Sequence, residues 1–84
     1  MTPRAIVHAV ARAHGITVER MCSQYRTHGL VRARWDAAWL MREVLKMSLP
    51  EIGRVLHRDH STILHGLRMT VRPAWWNEQE PSSD

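Results

Sequence analysis

The sequence contains one cysteine, no phenylalanine and no long apolar run. Because a single thiol cannot form an internal disulfide, Cys22 is expected to pack as a small hydrophobic side chain. The amino-terminal stretch MTPRAIVHAVARAHG is interrupted by arginines and histidines, unlike the core of a signal peptide, and no segment is long enough to span a bilayer. We therefore expect a cytoplasmic protein with no membrane partner.

Two patterns that would indicate other fold classes are also missing. No stretch alternates polar and apolar residues for long enough to predict a strand. No run of the G-x-x-x-x-G-K type is present, which excludes a phosphate-loop ATPase within this chain. With 84 residues, of which 44% are hydrophobic, the chain can hold one small core. The sequence predicts one all-α domain without a cofactor.

Positive charge is concentrated in most of the chain and is missing from its end. All twelve Lys and Arg residues lie at or before Arg72, and eleven of them are arginine. Residues 1–73 hold these twelve against five acidic residues, a net charge of +7, whereas residues 74–84 hold three carboxylates. We predict a basic domain over 1–73 and a flexible acidic tail over 74–84. The arginine-rich body favours a polyanionic partner, although a compositional arginine bias is an alternative.

Hydrophobic residues recur at helical spacing along the whole domain. A first helix is predicted to end at Gly15, and Thr17 is predicted to cap a short second helix. The run QYRTHGLVRAR, residues 24–34, breaks the pattern and is interpreted as an exposed basic loop. A third helix of about residues 33–46 follows with a broad apolar face.

The stretch SLPEIGRVLHRDHSTILHGLR, residues 48–68, predicts two short helices joined by a tight turn. Ser48 and Glu51 have the spacing of a capping box, so they mark the start of the fourth helix. A turn at His57–Arg58 follows, and Asp59 is a natural N-cap for the fifth helix. The fifth helix is expected to end at Pro73 and to bury a stripe of four residues, Ile63, Leu64, Leu67 and Val71. This arrangement is a helix-turn-helix.

In a helix-turn-helix the second helix enters the major groove with its N-terminal residues against the base edges. Asp59 can accept a hydrogen bond from cytosine, and His60 can donate to a purine or pack on a thymine methyl group. Asp59 acting only as a cap is the alternative interpretation. The other polar side chains placed for bases or phosphates are Arg58, Ser61, Thr62 and His65.

Residues 48–68 resemble the signature of the C-terminal DNA-binding domain (domain IV) of the bacterial replication initiator DnaA, in which SLPEIG precedes RDH, a Ser/Thr-Thr pair, two aliphatic residues and His. The similarity extends back through GITVERMCSQYRTHGLVRARWDAAWLMREVLKM and covers about residues 4–72. It implies a TrpR-like helix-turn-helix fold that binds duplex DNA at a DnaA box, similar to 5′-TTATCCACA. The base contacts implied are Asp59, His60 and Ser61 in the major groove and Arg26 in the minor groove. The phosphate contacts implied are Arg34, Arg42, Leu49, Pro50, Arg58, Thr62 and His65.

The chain departs from this family pattern in three places. His57 stands where the family usually has two glycines, which predicts a turn one residue shorter. Tyr25 replaces a residue that is often basic, and Gly29-Leu30 replaces polar residues, so the electrostatic attraction of this region is weaker. Ser61 lacks the methyl group that a threonine would set against thymine. We expect these changes to affect sequence preference more than DNA binding itself.

The resemblance leads to a functional hypothesis. We interpret the chain as a free-standing, non-enzymatic relative that binds DnaA-box-like DNA as a monomer, associates with the nucleoid and modulates replication initiation or transcription without ATPase activity. An alternative is an interaction module for DnaA or another replication protein, anchored by Trp75-Trp76. Against this, one tryptophan could pack back on the core while the rest of the tail stays disordered.

Two other site chemistries fit the sequence poorly. A zinc site formed by His57, His60 and His65 would have no standard ligand spacing and no cysteine. A hydrolase triad is disfavoured because Asp59, His60 and Ser61 are consecutive, and neighbours at the start of a helix point in different directions.

Overall fold

The computed structural model describes residues 1–76, and the regular secondary structure in this part of the chain is helical. Its five helices are α1 (Pro3–His14), α2 (Val18–Met21), α3 (His28–Glu43), α4 (Leu49–Leu56) and α5 (His60–Arg68). None of the described residues lies in a strand. The predicted all-α fold of five helices is confirmed.

The helix boundaries predicted from capping residues are confirmed. Gly15 ends α1 in the left-handed conformation, with φ of 68°. The Thr17 hydroxyl accepts a hydrogen bond from the Arg20 amide at 3.1 Å and so caps α2. At the start of α4, the Glu51 amide donates to Ser48 Oγ at 3.3 Å, and the Ser48 amide donates to Glu51 Oε1 at 2.8 Å. This reciprocal pair is a complete capping box.

Helix α3 is longer at its beginning than the sequence predicted. It starts at His28, directly after an extended Thr27, so the loop interpreted as residues 24–34 is confined to 22–27. The error has a physical cause, because Gly29 falls in the first turn of the helix, where a residue that favours turns does little damage. Helices α1, α2, α4 and α5 all pack against α3, which is the central element of the fold.

The buried core is built from all five helices. Its members are Ile6, Val7, Val10, Ala11, Met21, Ala33, Ala37, Ala38, Leu40, Met41, Ile52, Leu56, Ile63 and Trp76. The expected stripe on α5 is only partly correct. Val71 is 81% exposed, because α5 ends at Arg68 and the chain leaves the helical path before Val71. Leu64 lies within α5 and is 38% exposed.

The chain after α5 returns to α3. Trp76 is only 5% exposed and belongs to the core. Trp75 Nε1 donates a hydrogen bond to Asp36 Oδ2 at 3.0 Å, and His14 Nε2 lies 2.8 Å from the same oxygen. The expectation that one tryptophan packs on the core is confirmed. Of the tail predicted over residues 74–84, Trp75 and Trp76 therefore pack on the body. The rest of this tail, from residue 77 onward, lies outside the described residues.

Over residues 1–76, no helix combines the length and the apolar character needed to cross a bilayer. Cys22 is half-buried against the core, and burial raises the pKa of its thiol. A thiol with a raised pKa stays protonated near neutral pH, so Cys22 behaves as a packing residue.

Candidate DNA-binding interface

The turn between α4 and α5 is held by backbone contacts to one glycine. His57 ends α4 in the left-handed conformation, with φ of 58° and ψ of 46°. The Arg58 amide donates to the Gly53 carbonyl at 2.8 Å. A Cβ atom at position 53 would collide with the Arg58 carbonyl oxygen. Gly53 is therefore what allows the backbone of α4 to lie so close to the turn.

The N-terminal turn of α5 is fixed by Asp59. The residue is extended, and its Oδ2 accepts a hydrogen bond from the Ser61 amide at 3.0 Å. This hydrogen bond lowers the pKa of the Asp59 carboxyl group, so the cap is charged at neutral pH. The predicted cap is confirmed. His60, Ser61, Thr62 and His65 are all exposed, so the polar face of the helix is open to solvent.

A shallow hollow separates the outer face of α4 from the start of α5. It is lined by Pro50, Gly53, Arg54, His57, Arg58, Asp59 and His60. Arg54 is exposed and was missed in the sequence interpretation. The sequence could have identified it, because Arg54 follows Pro50, an expected phosphate contact, by four residues, and residues i and i+4 share a helix face. Arg54 adds a cation beside the side chains expected to contact bases.

Arg34 does not lie where a phosphate contact was expected. Its side chain is 2% exposed. Its Nε donates to the Met21 carbonyl at 2.6 Å, and its Nη2 donates to the Ser23 and Tyr25 carbonyls at 2.7 and 2.6 Å. Burial, followed by the positive charge of Arg58, lowers the pKa of this guanidinium. The structure corrects the expected role, because a guanidinium enclosed by backbone carbonyls has no surface to offer a phosphate.

Arg58 is turned partly inward as well. It is half-buried, its Nη1 donates to the His57 carbonyl at 2.9 Å, and its Nη2 donates to the Ser23 carbonyl at 2.6 Å. The Ser23 oxygen thus accepts hydrogen bonds from two arginines, Arg58 in the turn and Arg34 in α3. These bonds join the turn before α5 to the loop of residues 22–27, on which Arg26 is exposed.

Three more residues expected at phosphates, Arg42, Leu49 and Pro50, lie around the start of α4. Arg42 is exposed at the end of α3, and its Nη1 donates to the Met47 carbonyl at 2.7 Å. Pro50 is exposed and Leu49 is half-buried in the first turn of α4. The carboxyl group of Glu51 belongs to the capping box, and hydrogen bonds from Ser48 lower its pKa.

Comparison with known proteins agrees with this geometry. The model of the family described as bacterial DnaA protein helix-turn-helix matches residues 3–69. The chain belongs to this family. Two relatives are the chromosomal replication initiator protein DnaA of Thermomicrobium roseum, 38% identical over 68 residues, and DnaA 1 of Chlamydia muridarum, 35% identical over 68 residues. These matches cover 80% and 81% of this chain and 15% of each relative, so the chain spans about a seventh of the length of the proteins it matches.

Family membership fixes the class of the domain. Residues 3–69 form a DnaA-type helix-turn-helix, a DNA-binding domain rather than a catalytic one. Helices α4 and α5, with the turn at His57–Arg58, are its helix pair. The resemblance predicted from SLPEIG and RDHST is confirmed.

The histidines considered as zinc ligands are not brought together. Among residues 1–76, no group of three or more His, Cys, Asp or Glu side chains could hold a metal ion. His57 ends α4, whereas His60 and His65 lie on α5 and are exposed.

Proposed function

We propose that this chain binds duplex DNA sequence-specifically at DnaA-box-like sites. The start of α5 enters the major groove, where Asp59, His60 and Ser61 contact base edges. Arg26 enters the neighbouring minor groove. The observation that carries this proposal is the exposed polar first turn of α5, which is rigidly capped by Asp59 within a DnaA-type helix-turn-helix.

The charges around this turn suit a phosphate backbone. Arg54 is exposed in the hollow beside α5, and Arg42 is exposed near the start of α4. The remaining backbone contacts that we propose are Leu49, Pro50, Thr62 and His65, with Arg58 through any donor that it does not use internally. Such contacts fix the register of the protein on DNA without reading the sequence.

The regulatory role that we propose follows from binding without ATP hydrolysis. A monomeric domain that occupies DnaA-box-like sites competes or cooperates there with a full-length initiator, and so modulates replication initiation or transcription. This role places the protein on the nucleoid, in the cytoplasm. It requires no catalytic step and no cofactor.

The test is a titration of the full chain against two labelled duplexes, one containing 5′-TTATCCACA and one with the same bases scrambled, at two salt concentrations. We expect a preference for the box at both salt concentrations, because base contacts discriminate between the two sequences. Phosphate contacts contribute a salt-dependent affinity that is the same for the two duplexes. Equal affinities for the two duplexes would contradict sequence-specific recognition.

The alternative, an interaction module anchored by Trp75-Trp76, has less support. Trp76 is buried in the core, and Trp75 donates its indole N–H to Asp36 and packs edge-on against the Trp76 ring, with 6.0 Å between ring centroids. Trp76 therefore offers no surface to a partner, and Trp75, which is 36% exposed, is tied to Asp36 through its indole N–H. A pull-down of DnaA that is lost in Trp75→Ala, with no preference for the box, would favour this alternative.

A further inference from the structure

The loop of residues 22–27 carries Arg26 but contains no helix or strand that would fix it. Its local side-chain contacts are few. Ser23 Oγ donates to the Arg20 carbonyl at 2.6 Å and accepts from the Tyr25 amide at 3.3 Å, and the Arg20 guanidinium lies over the Tyr25 ring, 5.7 Å from its centroid. An exposed loop with so few local bonds is normally mobile. A mobile Arg26 would lose conformational entropy on entering a groove, and this loss would weaken binding.

The backbone of this loop is instead held from two other elements. Arg34, at the buried face of α3, donates to the carbonyls of Met21, Ser23 and Tyr25. Arg58, in the turn before α5, donates to the Ser23 carbonyl from 35 residues away. The bond from Arg34 to Tyr25 fixes the residue immediately before Arg26. The bond from Arg58 to Ser23 connects the loop to the turn before α5.

We infer that Arg34 and Arg58 are positioning residues that set the place of Arg26 relative to α5, so that the reading of the minor groove depends on them. This inference rests on the proposed function and assigns Arg34 a role other than a phosphate contact. The fork of a guanidinium is suited to it, because one planar group can donate to several carbonyls at fixed angles. A lysine could not span the same three oxygens.

The test uses a box duplex in which 2,6-diaminopurine replaces adenine. This base adds an amino group in the minor groove, like that of guanine, and leaves the major-groove edge unchanged. The ratio of dissociation constants for the modified and plain boxes therefore reports on Arg26. A loss of phosphate contacts weakens binding to both boxes equally, so it does not change this ratio. We expect the wild type to bind the modified box at least about fivefold more weakly, the lower end for one altered base pair.

The variants are Arg26→Ala, Arg34→Met, Arg58→Met and the double variant Arg26→Ala/Arg34→Met. Arg32→Met is the matched control, since it removes the same charge from an exposed position of α3. Arg26→Ala is expected to bring the ratio to one. The double variant Arg26→Ala/Arg34→Met is expected to have a ratio of one as well. Arg34→Met and Arg58→Met should each move the ratio towards one, whereas Arg32→Met should keep the wild-type ratio.

Circular dichroism shows which variants fold, and Arg58→Met, which leaves the core of α3 intact, carries the test if Arg34→Met does not. A wild-type ratio in folded Arg34→Met and Arg58→Met would overturn the positioning role alone. A ratio of one in the wild type, with the plain box still preferred over a scrambled duplex, would overturn minor-groove reading by Arg26 and this inference with it. Loss of that preference as well would mean that the proposed function itself has failed.

Discussion

The two parts of the candidate interface are stabilised in opposite ways. The first turn of α5 is organised by neighbours in sequence: Asp59 caps the amide of Ser61, two residues away. The loop that carries Arg26 is organised by Arg34 and Arg58, which reach it across 9 to 35 residues of the chain. Both parts are exposed, so the difference lies in their support rather than in their accessibility.

This difference has consequences for how each part responds to change. A locally capped helix start is sensitive to substitutions in its own turn. The loop is sensitive to changes in α3 and in the turn before α5, because Arg34 and Arg58 donate to its backbone from these elements. Substitutions that disturb each kind of support, and changes of pH, should therefore have different effects on the two parts.

Gly53→Ala should have the largest effect, because its methyl group would meet the carbonyl of Arg58, which directly precedes the Asp59 cap and donates to the loop. We expect the free energy of unfolding to fall by about 1–3 kcal/mol, the usual cost of overpacking. Box binding should fall with it. Gly29→Ala is the control: no atom lies within 4 Å of its added Cβ, so it should leave stability unchanged or raise it by up to about 1 kcal/mol. Equal effects of the two substitutions in denaturant melts would refute this account of the turn.

His60→Ala should weaken binding to the box by about 1–3 kcal/mol and leave the scrambled duplex nearly unaffected, because a base contact discriminates between sequences. His8→Ala provides a control on α1, which packs on α2 and α3 and carries His8 exposed. It should change neither affinity. Titration of both duplexes decides the matter, and an equal loss on both would remove base reading from His60.

His57→Gly should raise the free energy of unfolding by about 0.5–1 kcal/mol, because a side chain is strained at φ of 58° and glycine is not. Lys46→Gly is the matched variant, since Lys46 also has φ of 58°. Urea melts should show gains of similar size. A loss at His57 alone would reveal a compensating contact of the imidazole in the hollow beside α5.

Acid should loosen the start of α5 before it loosens the loop. The pKa values of Glu51 and Asp59 lie below their ordinary values of 4.5 and 3.8 in the folded protein. A lowered carboxyl pKa gives stability that is present above the ordinary value and lost as the pH falls through the folded value. The bonds that hold the loop come from guanidinium groups to backbone carbonyls and involve no carboxylate. As the pH is lowered, the amide NMR signal of Ser61 should therefore shift before that of Tyr25. The shift of the Ser61 signal should be smaller in Asp59→Asn, which has no carboxyl group at this position.

Much of the fold could be predicted because its boundaries are set locally. Gly15, Thr17, Ser48 and Asp59 each act on amides or carbonyls a few residues away, which is the range over which a sequence pattern is informative. The end of α5 was placed too late for a related reason. The apolar stripe continues in the sequence to Val71, but the chain has already turned back towards α3.

The role of Arg34 could not be predicted from a basic pattern alone. Once α3 is known to begin at His28, the helical period places Arg34 on the same face as Leu30, Ala37 and Ala38, all of which are buried. The sequence interpretation began α3 at about residue 33 and extended the exposed basic loop to Arg34, so it predicted an exposed guanidinium. Its partners are backbone carbonyls of another segment, and no side-chain pattern identifies them.

Recognition of base edges by this domain can be measured by methylation interference on a box duplex. Dimethyl sulfate modifies guanine N7 in the major groove and adenine N3 in the minor groove, so one experiment probes both grooves. We predict interference at guanines and adenines inside the box, with the guanine signals reduced in His60→Ala and the adenine signals reduced in Arg26→Ala. Uniform retention of methylated duplexes in the bound fraction would contradict recognition of base edges in either groove.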